Sequence, residues 1–153
     1  MRSEFRRLLQ ANIDEKLKNV PKQRSVDPPS GGWLKAIRVA LAVPARYPAS
    51  KLGLTTQAVE QLERGEAAGA ITLKNLRRAA DALDCDVVYA VVPRAGSLSA
   101  MLSKQADKRA RTTISAVAHS MRLENQGTDS EEQAAELARK FVADPKPSLW
   151  VTE

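Results

Sequence analysis

Residues 51–63, Lys-Leu-Gly-Leu-Thr-Thr-Gln-Ala-Val-Glu-Gln-Leu-Glu, constrain the fold more than any other stretch of this 153-residue chain. Leu52-Gly53 stops a helix, because glycine enters the left-handed conformation without a Cβ clash. Thr55 and Thr56 offer a new N-cap at once. The helix that follows puts Val59 and Leu62 inside and Thr56, Gln57 and Gln61 outside. A short polar-faced helix entered through a glycine turn is how a helix-turn-helix addresses the DNA major groove.

The flanking sequence supplies the rest of a small helical bundle. Leu34, Ile37 and Leu41 form the apolar face of a helix that starts at Trp33. Pro44 and Pro48 interrupt the next one. Proline is tolerated only in a first turn, so this second helix is expected to begin near Tyr47 and to be short, with Leu52 buried. The third helix is expected from about Thr56 to Arg64, stopping at Gly65 as its C′ residue. Gly69 opens the next turn. Thr72 then caps a fourth helix whose inner face is Leu73, Leu76, Ala79, Ala80 and Leu83.

Beyond it the pattern changes. Asp86-Val-Val-Tyr-Ala-Val-Val-Pro93 is β-branched and closed by proline, and reads as one short strand. A lone strand leaves its backbone groups unpaired. Pairing with the same strand of a second copy is the economical solution; a strand added to another local element, or burial as extended chain, are the alternatives. Residues 3–18 read as an amphipathic helix through Phe5, Leu8, Leu9, Ile13 and Leu17. It is cut off from the bundle by a linker holding Pro21, Pro28, Pro29, Gly31 and Gly32. From Ser97 a helical pattern runs to about Glu124. Residues 125–130 form a turn, and a last helix runs from Ser130 through Phe141, ended by Asp144-Pro-Lys-Pro. The fold class is therefore mainly α, in three parts: an N-terminal helical arm and linker (1–31), a helix-turn-helix domain with a dimerisation strand (32–94), and a helical tail (95–153).

The net charge of +6 suits contact with a polyanion, and equally a solvated basic surface. Residues 127–153 reverse the balance, with three basic against six acidic side chains, so this end is the least suited to nucleic acid. One cysteine, Cys85, excludes an intramolecular disulfide and fits a reducing cytoplasm. No apolar run reaches the ~18 residues of a membrane span, and the N-terminus has no signal-peptide core. The sole histidine, His119, has no metal-binding spacing around it, and no phosphate loop or nucleophile motif is present. Neither catalysis nor a cofactor or metal is expected.

Glutamine pairs bidentately with adenine, and threonine bonds a base edge or touches a thymine methyl. Thr55, Thr56, Gln57 and Gln61 are of these types. Thr55 and Thr56 sit at a helix N-terminus, where free amides also favour a phosphate. Gln57 and Gln61 are four apart and share one face. A plain surface helix with a threonine cap is the alternative. Lys35, Arg38, Arg46, Lys51 and Lys74 are candidate phosphate contacts, Arg46 and Lys51 foremost.

On those residues, the stretch 33–83 resembles the Xre/Cro-type family of phage repressors, and Thr55 to Glu63 looks like a lambdoid recognition helix. The resemblance implies that Thr56, Gln57 and Gln61 face bases, that Thr55 lies near phosphate, that Glu60 leans aside and that Glu63 is structural. Pro48 departs from the family pattern, which carries a buried aliphatic there; this bears on the angle of the second helix and on DNA affinity.

Ser120-Met-Arg-Leu-Glu124-Asn125 closes the long helix. Ser120 and Glu124 share a face beside Ile114, Val117 and Met121, an apolar stripe suited to a partner, or else an ordinary helix end. The spacing resembles the inhibitory helix of Fic-domain regulation: Ser or Thr, three residues, Glu, then Gly or Asn. The whole chain resembles the mobile mystery protein A family through the repressor-type domain, the stretch Ala82-Leu-Asp-Cys-Asp-Val-Val-Tyr-Ala-Val-Val-Pro-Arg94 and the helical tail. That family is typically encoded beside a Fic-domain protein, mobile mystery protein B. The resemblance implies that Glu124 pairs with the active-site arginine that otherwise holds the ATP γ-phosphate, with Ser120 steadying the helix. It implies an antitoxin-like protein that inhibits a Fic AMP-transferase and represses its own operator as a dimer. A stand-alone repressor whose tail serves dimerisation, and an inhibitor without operator binding, are the alternatives.

Overall fold

The computed structural model describes residues 2–20, 26–121 and 130–151, and divides the chain into two units, Pro21–Tyr89 and Met1–Val20 with Ala90–Glu153. It is mainly helical: α1 (Arg2–Leu17), α2 (Trp33–Ala40), α3 (Arg46–Leu52), α4 (Thr56–Ala67), α5 (Leu73–Asp81), α6 (Leu98–Met121), α7 (Ser130–Ala143) and a final 3-10 turn (Pro147–Trp150).

Helices α2 to α5 build the unit Pro21–Tyr89. Each of the four ends in the same way. One to three residues past the helix a residue is left-handed, its amide bonds back three residues, and the following amide bonds back five. These left-handed positions are Ala42 (φ 53), Gly53 (φ 65), Gly69 (φ 68) and Asp84 (φ 56). Each stop satisfies the last carbonyls of its helix and turns the chain sharply, so four short helices fold onto one another. The starts are equally defined. Thr55 caps α4 and Thr72 caps α5, their hydroxyls accepting from the Ala58 and Asn75 amides at 3.1 and 3.2 Å. The start of α2 has no local cap. Glu66 on α4 supplies one, its carboxylate accepting from the Trp33 and Leu34 amides at 2.9 and 2.8 Å. Gly32 makes room for it: a Cβ there would meet Glu66 Oε2 at 2.9 Å.

The core of this unit is Leu34, Ala79 and Ala80, with Leu62, Ile71, Leu76, Leu83, Cys85 and Val87 packed against it. It is alanine-rich, and no large side chain is fully buried among the described residues. Pro48 is buried at the third position of α3, where helix geometry leaves the backbone N–H without a partner, so the proline costs no hydrogen bond. Leu41, expected on the inner face of α2, is 63% exposed because the helix has already ended at Ala40. Helix α4 continues through Gly65 to Ala67 instead of stopping at Gly65; the left-handed stop is taken by Gly69. Residues 86–93, expected as a strand, form no ladder, and no strand is assigned among the described residues.

In the other unit α6 and α7 are antiparallel, since Arg111 meets Glu131 while the earlier Gln105 donates to the later Leu149 carbonyl. Ala106 and Ala110 on α6 and Ala134 and Ala138 on α7 form the seam, with Ile114, Leu137, Phe141 and Val142 beside it. Alanine on both sides lets the two backbones approach closely. Helix α1, expected to stand apart as an arm, is tied to the start of α6. Asp14 accepts from the Leu98 amide at 2.7 Å, the Ser99 amide at 3.2 Å and the Ser99 hydroxyl at 2.8 Å. Ser97 caps the third amide of the same helix, Ala100, at 3.0 Å.

Burial pushes the Asp14 carboxyl up, but the Leu98 amide and the two Ser99 donors outweigh it, leaving it below its ordinary value of 3.8. A depressed carboxylate contributes stability that is complete above its unfolded pKa and is lost as pH falls through the folded one. Asp14→Ala is therefore expected to cost about 1 kcal/mol at neutral pH, the usual loss of an N-cap. The gap between wild-type and variant melting temperatures should close as pH falls below about 4. A gap that is the same at pH 7 and pH 2.5 would mean that the cap does not act through its charge.

Candidate nucleic-acid interface

Helix α4 has two distinct faces. Inward lie Val59, 5% exposed, and the half-buried Leu62. Outward lie Thr56, Gln57 and Gln61, all exposed. Its first turn carries no acidic residue. The Thr55 side chain, expected near phosphate, is exposed and accepts from the Ala58 amide, and its hydroxyl proton remains to be donated to an anion. Glu60 and Arg64 lie one turn apart on the exposed surface, 4.0 Å from each other.

The inward carboxylates are fully committed. Glu63 is 5% exposed and forms a two-pronged pair with Arg38 on α2: Nε to Oε1 at 2.6 Å and a second guanidinium N–H to Oε2 at 3.0 Å. The remaining guanidinium arm donates to the Val43 carbonyl at 3.2 Å. The Glu63 hydrogen bond, opposed by burial, raises the Arg38 pKa further, so the guanidinium stays charged. With Glu66 capping α2, two adjacent turns of α4 are bolted to α2 from behind, and the exposed face is held in a fixed orientation. Arg38 was expected among the phosphate contacts; its three bonds inside the bundle remove it from that set.

The other cations divide. Arg46, at the first position of α3, is exposed and makes no hydrogen bond or ion pair among the described residues. Lys35 and Lys74 are exposed. Lys51, in the last turn of α3, is engaged inside the unit. Its ammonium is 3.3 Å from each Asp84 carboxylate oxygen and 4.8 Å from the centre of the Tyr47 ring.

The sequence reading missed one local feature. Gln61 lies on a groove of about 240 Å³ lined by Leu52, Leu54, Ala58 and Leu62 and, from α5, by Asn75 and Arg78. Asn75 and Arg78 are three apart on a helix, a spacing that puts them on one face, and that signal was present in the sequence. Glu66 and Asp84 were missed as well. Both act on segments more than thirty residues away, for which spacing gives no sign.

Of the residues expected to engage a Fic protein, Ser120 lies in the last turn of α6, with its side chain outside the described residues; Glu124 and Asn125 lie outside them entirely. In the apolar stripe beside them, Ile114 packs into the α6–α7 seam, while Val117 is 48% exposed. Among the described residues no three His, Cys, Asp or Glu side chains are grouped to hold a metal ion, and no helix is long and apolar enough to cross a membrane. Comparison with protein-family models, with curated proteins and with solved structures returned no match.

Proposed function

We propose that the chain is a sequence-specific DNA-binding regulator in which α3, the turn at Gly53 and α4 form a helix-turn-helix. The observation that carries this reading is the exposed set Thr56, Gln57 and Gln61 on a helix whose opposite side is fixed by Arg38–Glu63 and Glu66. Uncharged hydrogen-bonding side chains on a rigid short helix suit base edges, and the exposed Arg46 at the start of α3 suits phosphate. Exposed valines support a homodimer: Val88 is 93% and Val91 86% exposed, a cost that pairing residues 86–93 with a second copy relieves. Two copies then address two half-sites, in the manner of an Xre/Cro-type autorepressor.

Binding to duplex DNA from upstream of its own gene is expected to weaken steeply with salt, because Lys and Arg contacts release counterions from phosphates. A plot of log affinity against log salt should be linear, and Arg46→Ala should lower its slope by about 1 per chain. A salt-independent affinity sinks the reading.

The tail carries the second half of the proposal: inhibition of a Fic-domain AMP-transferase by the segment Ser120 to Asn125, which makes the protein antitoxin-like. Its support is the residue spacing alone. A carboxylate shielded from water pairs strongly with a guanidinium and displaces a phosphate from it. Glu124→Gly protein is therefore expected to leave AMP transfer by the Fic partner running, where the wild type stops it. Equal inhibition by both removes Glu124 from the mechanism. The reading gives the chain no catalysis and no cofactor of its own, and a cytoplasmic place.

A further inference from the structure

We infer that Asp84 sets the DNA affinity of this unit by occupying Lys51 in place of a phosphate. The inference rests on the DNA-binding reading and deepens it. Lys51 is in the last turn of α3, just before the turn that leads into α4, and both Asp84 oxygens lie 3.3 Å from its ammonium. A carboxylate and a phosphate offer the same anionic oxygens to the same N–H donors, so they compete for Lys51.

Two features distinguish this pair from an incidental surface contact. First, Asp84 occupies a left-handed position (φ 56) that α3 and α4 fill with glycine, at Gly53 and Gly69, and α2 with the small Ala42. Any side chain there is strained relative to glycine, and aspartate tolerates it better than most. Of the four stops, only this one carries a carboxylate. Second, the Lys51 ammonium also lies over the Tyr47 ring at 4.8 Å, which keeps it aimed when the carboxylate is exchanged for another anion.

The contact is poised, not locked. The Lys51 and Asp84 side chains are 37% and 80% exposed, and solvent screens such a pair. DNA, with its dense row of phosphates, displaces the carboxylate, but each binding event must first break that pair. Asp84 therefore lowers affinity for every sequence alike. It is a positioning residue, acting through Lys51.

The test uses the full chain, fluorescence anisotropy at low salt, and two duplexes: the segment upstream of the gene and a random sequence. Asp84→Asn keeps the shape and the tolerance for a left-handed backbone while removing the charge. It is expected to bind both duplexes about three- to fivefold more tightly, the upper part of what an exposed ion pair contributes. Asp86→Asn, an equal change of net charge, should stay within about twofold of wild type. On a Lys51→Ala background the gain from Asp84→Asn should at least halve. An unchanged affinity for Asp84→Asn, or an equal gain with and without Lys51, overturns the inference and leaves the DNA reading standing. Absence of salt-dependent binding by the wild type overturns both.

Discussion

Glu63→Ala is expected to cost about 3 kcal/mol of folding stability, because it leaves the largely shielded Arg38 guanidinium without its counter-charge. Arg38→Ala should cost a similar amount from the other side. A domain the size of the unit Pro21–Tyr89 has a total stability of about 4–10 kcal/mol, so either change threatens the fold. The apolar core is ill-placed to absorb the loss, since beyond Leu34 it is built from alanines and half-buried apolar side chains. Replacing both partners with apolar residues of similar volume, Arg38→Met with Glu63→Leu, removes the desolvation problem together with the attraction. That double variant should recover most of the stability. Urea unfolding of the two single variants and the double checks this. Single losses below about 1 kcal/mol would show that the pair behaves as an ordinary surface contact.

Gln57→Ala is expected to weaken binding to the cognate site by about 1–3 kcal/mol, or roughly 5- to 150-fold, with random DNA bound as before. The contrast with a phosphate contact makes the prediction sharp. Arg46→Ala should weaken both duplexes together and flatten the salt dependence, while Gln57→Ala should change discrimination and leave the slope alone. Gln61→Ala should behave like Gln57→Ala at a different base pair. Its position on the groove bounded by Asn75 and Arg78 adds a condition. If Gln61 serves the groove instead of a base, its loss will weaken cognate and random DNA equally.

What the sequence made legible is what local chemistry controls. Gly53 as a helix stop, Thr55 and Thr72 as caps, and the inner face of α5 all follow from residues within a turn of one another. The short α3 followed too, because Pro48 permits only a first-turn position. Within the bundle the end of α3 was legible at Gly53; the other helix ends were not. Ala42 and Asp84 take left-handed positions without being glycine, and Gly65 lies inside a helix because Gly69 supplies the stop. The polar links were hidden for a different reason. Arg38 and Glu63 are 25 residues apart, and Asp14 and Leu98 are 84 apart. No periodicity relates such pairs; only the packed bundle brings them together. Composition showed that a linker separates α1 from the bundle, but not that Asp14 would cap α6. The β-branched stretch 86–93 states a preference that one chain alone does not satisfy.

Selection of binding sites from a random duplex pool tests the central claim, that α4 reads bases, most directly. The wild-type protein should enrich a two-fold-related site with half-sites spaced by about one helical turn, 10 base pairs, or a multiple of it. Gln57→Ala and Gln61→Ala should each lose the preference at one position of that half-site while the rest survives. Enrichment of no sequence by the wild type, or of the same site with the same preferences by all three proteins, would contradict it.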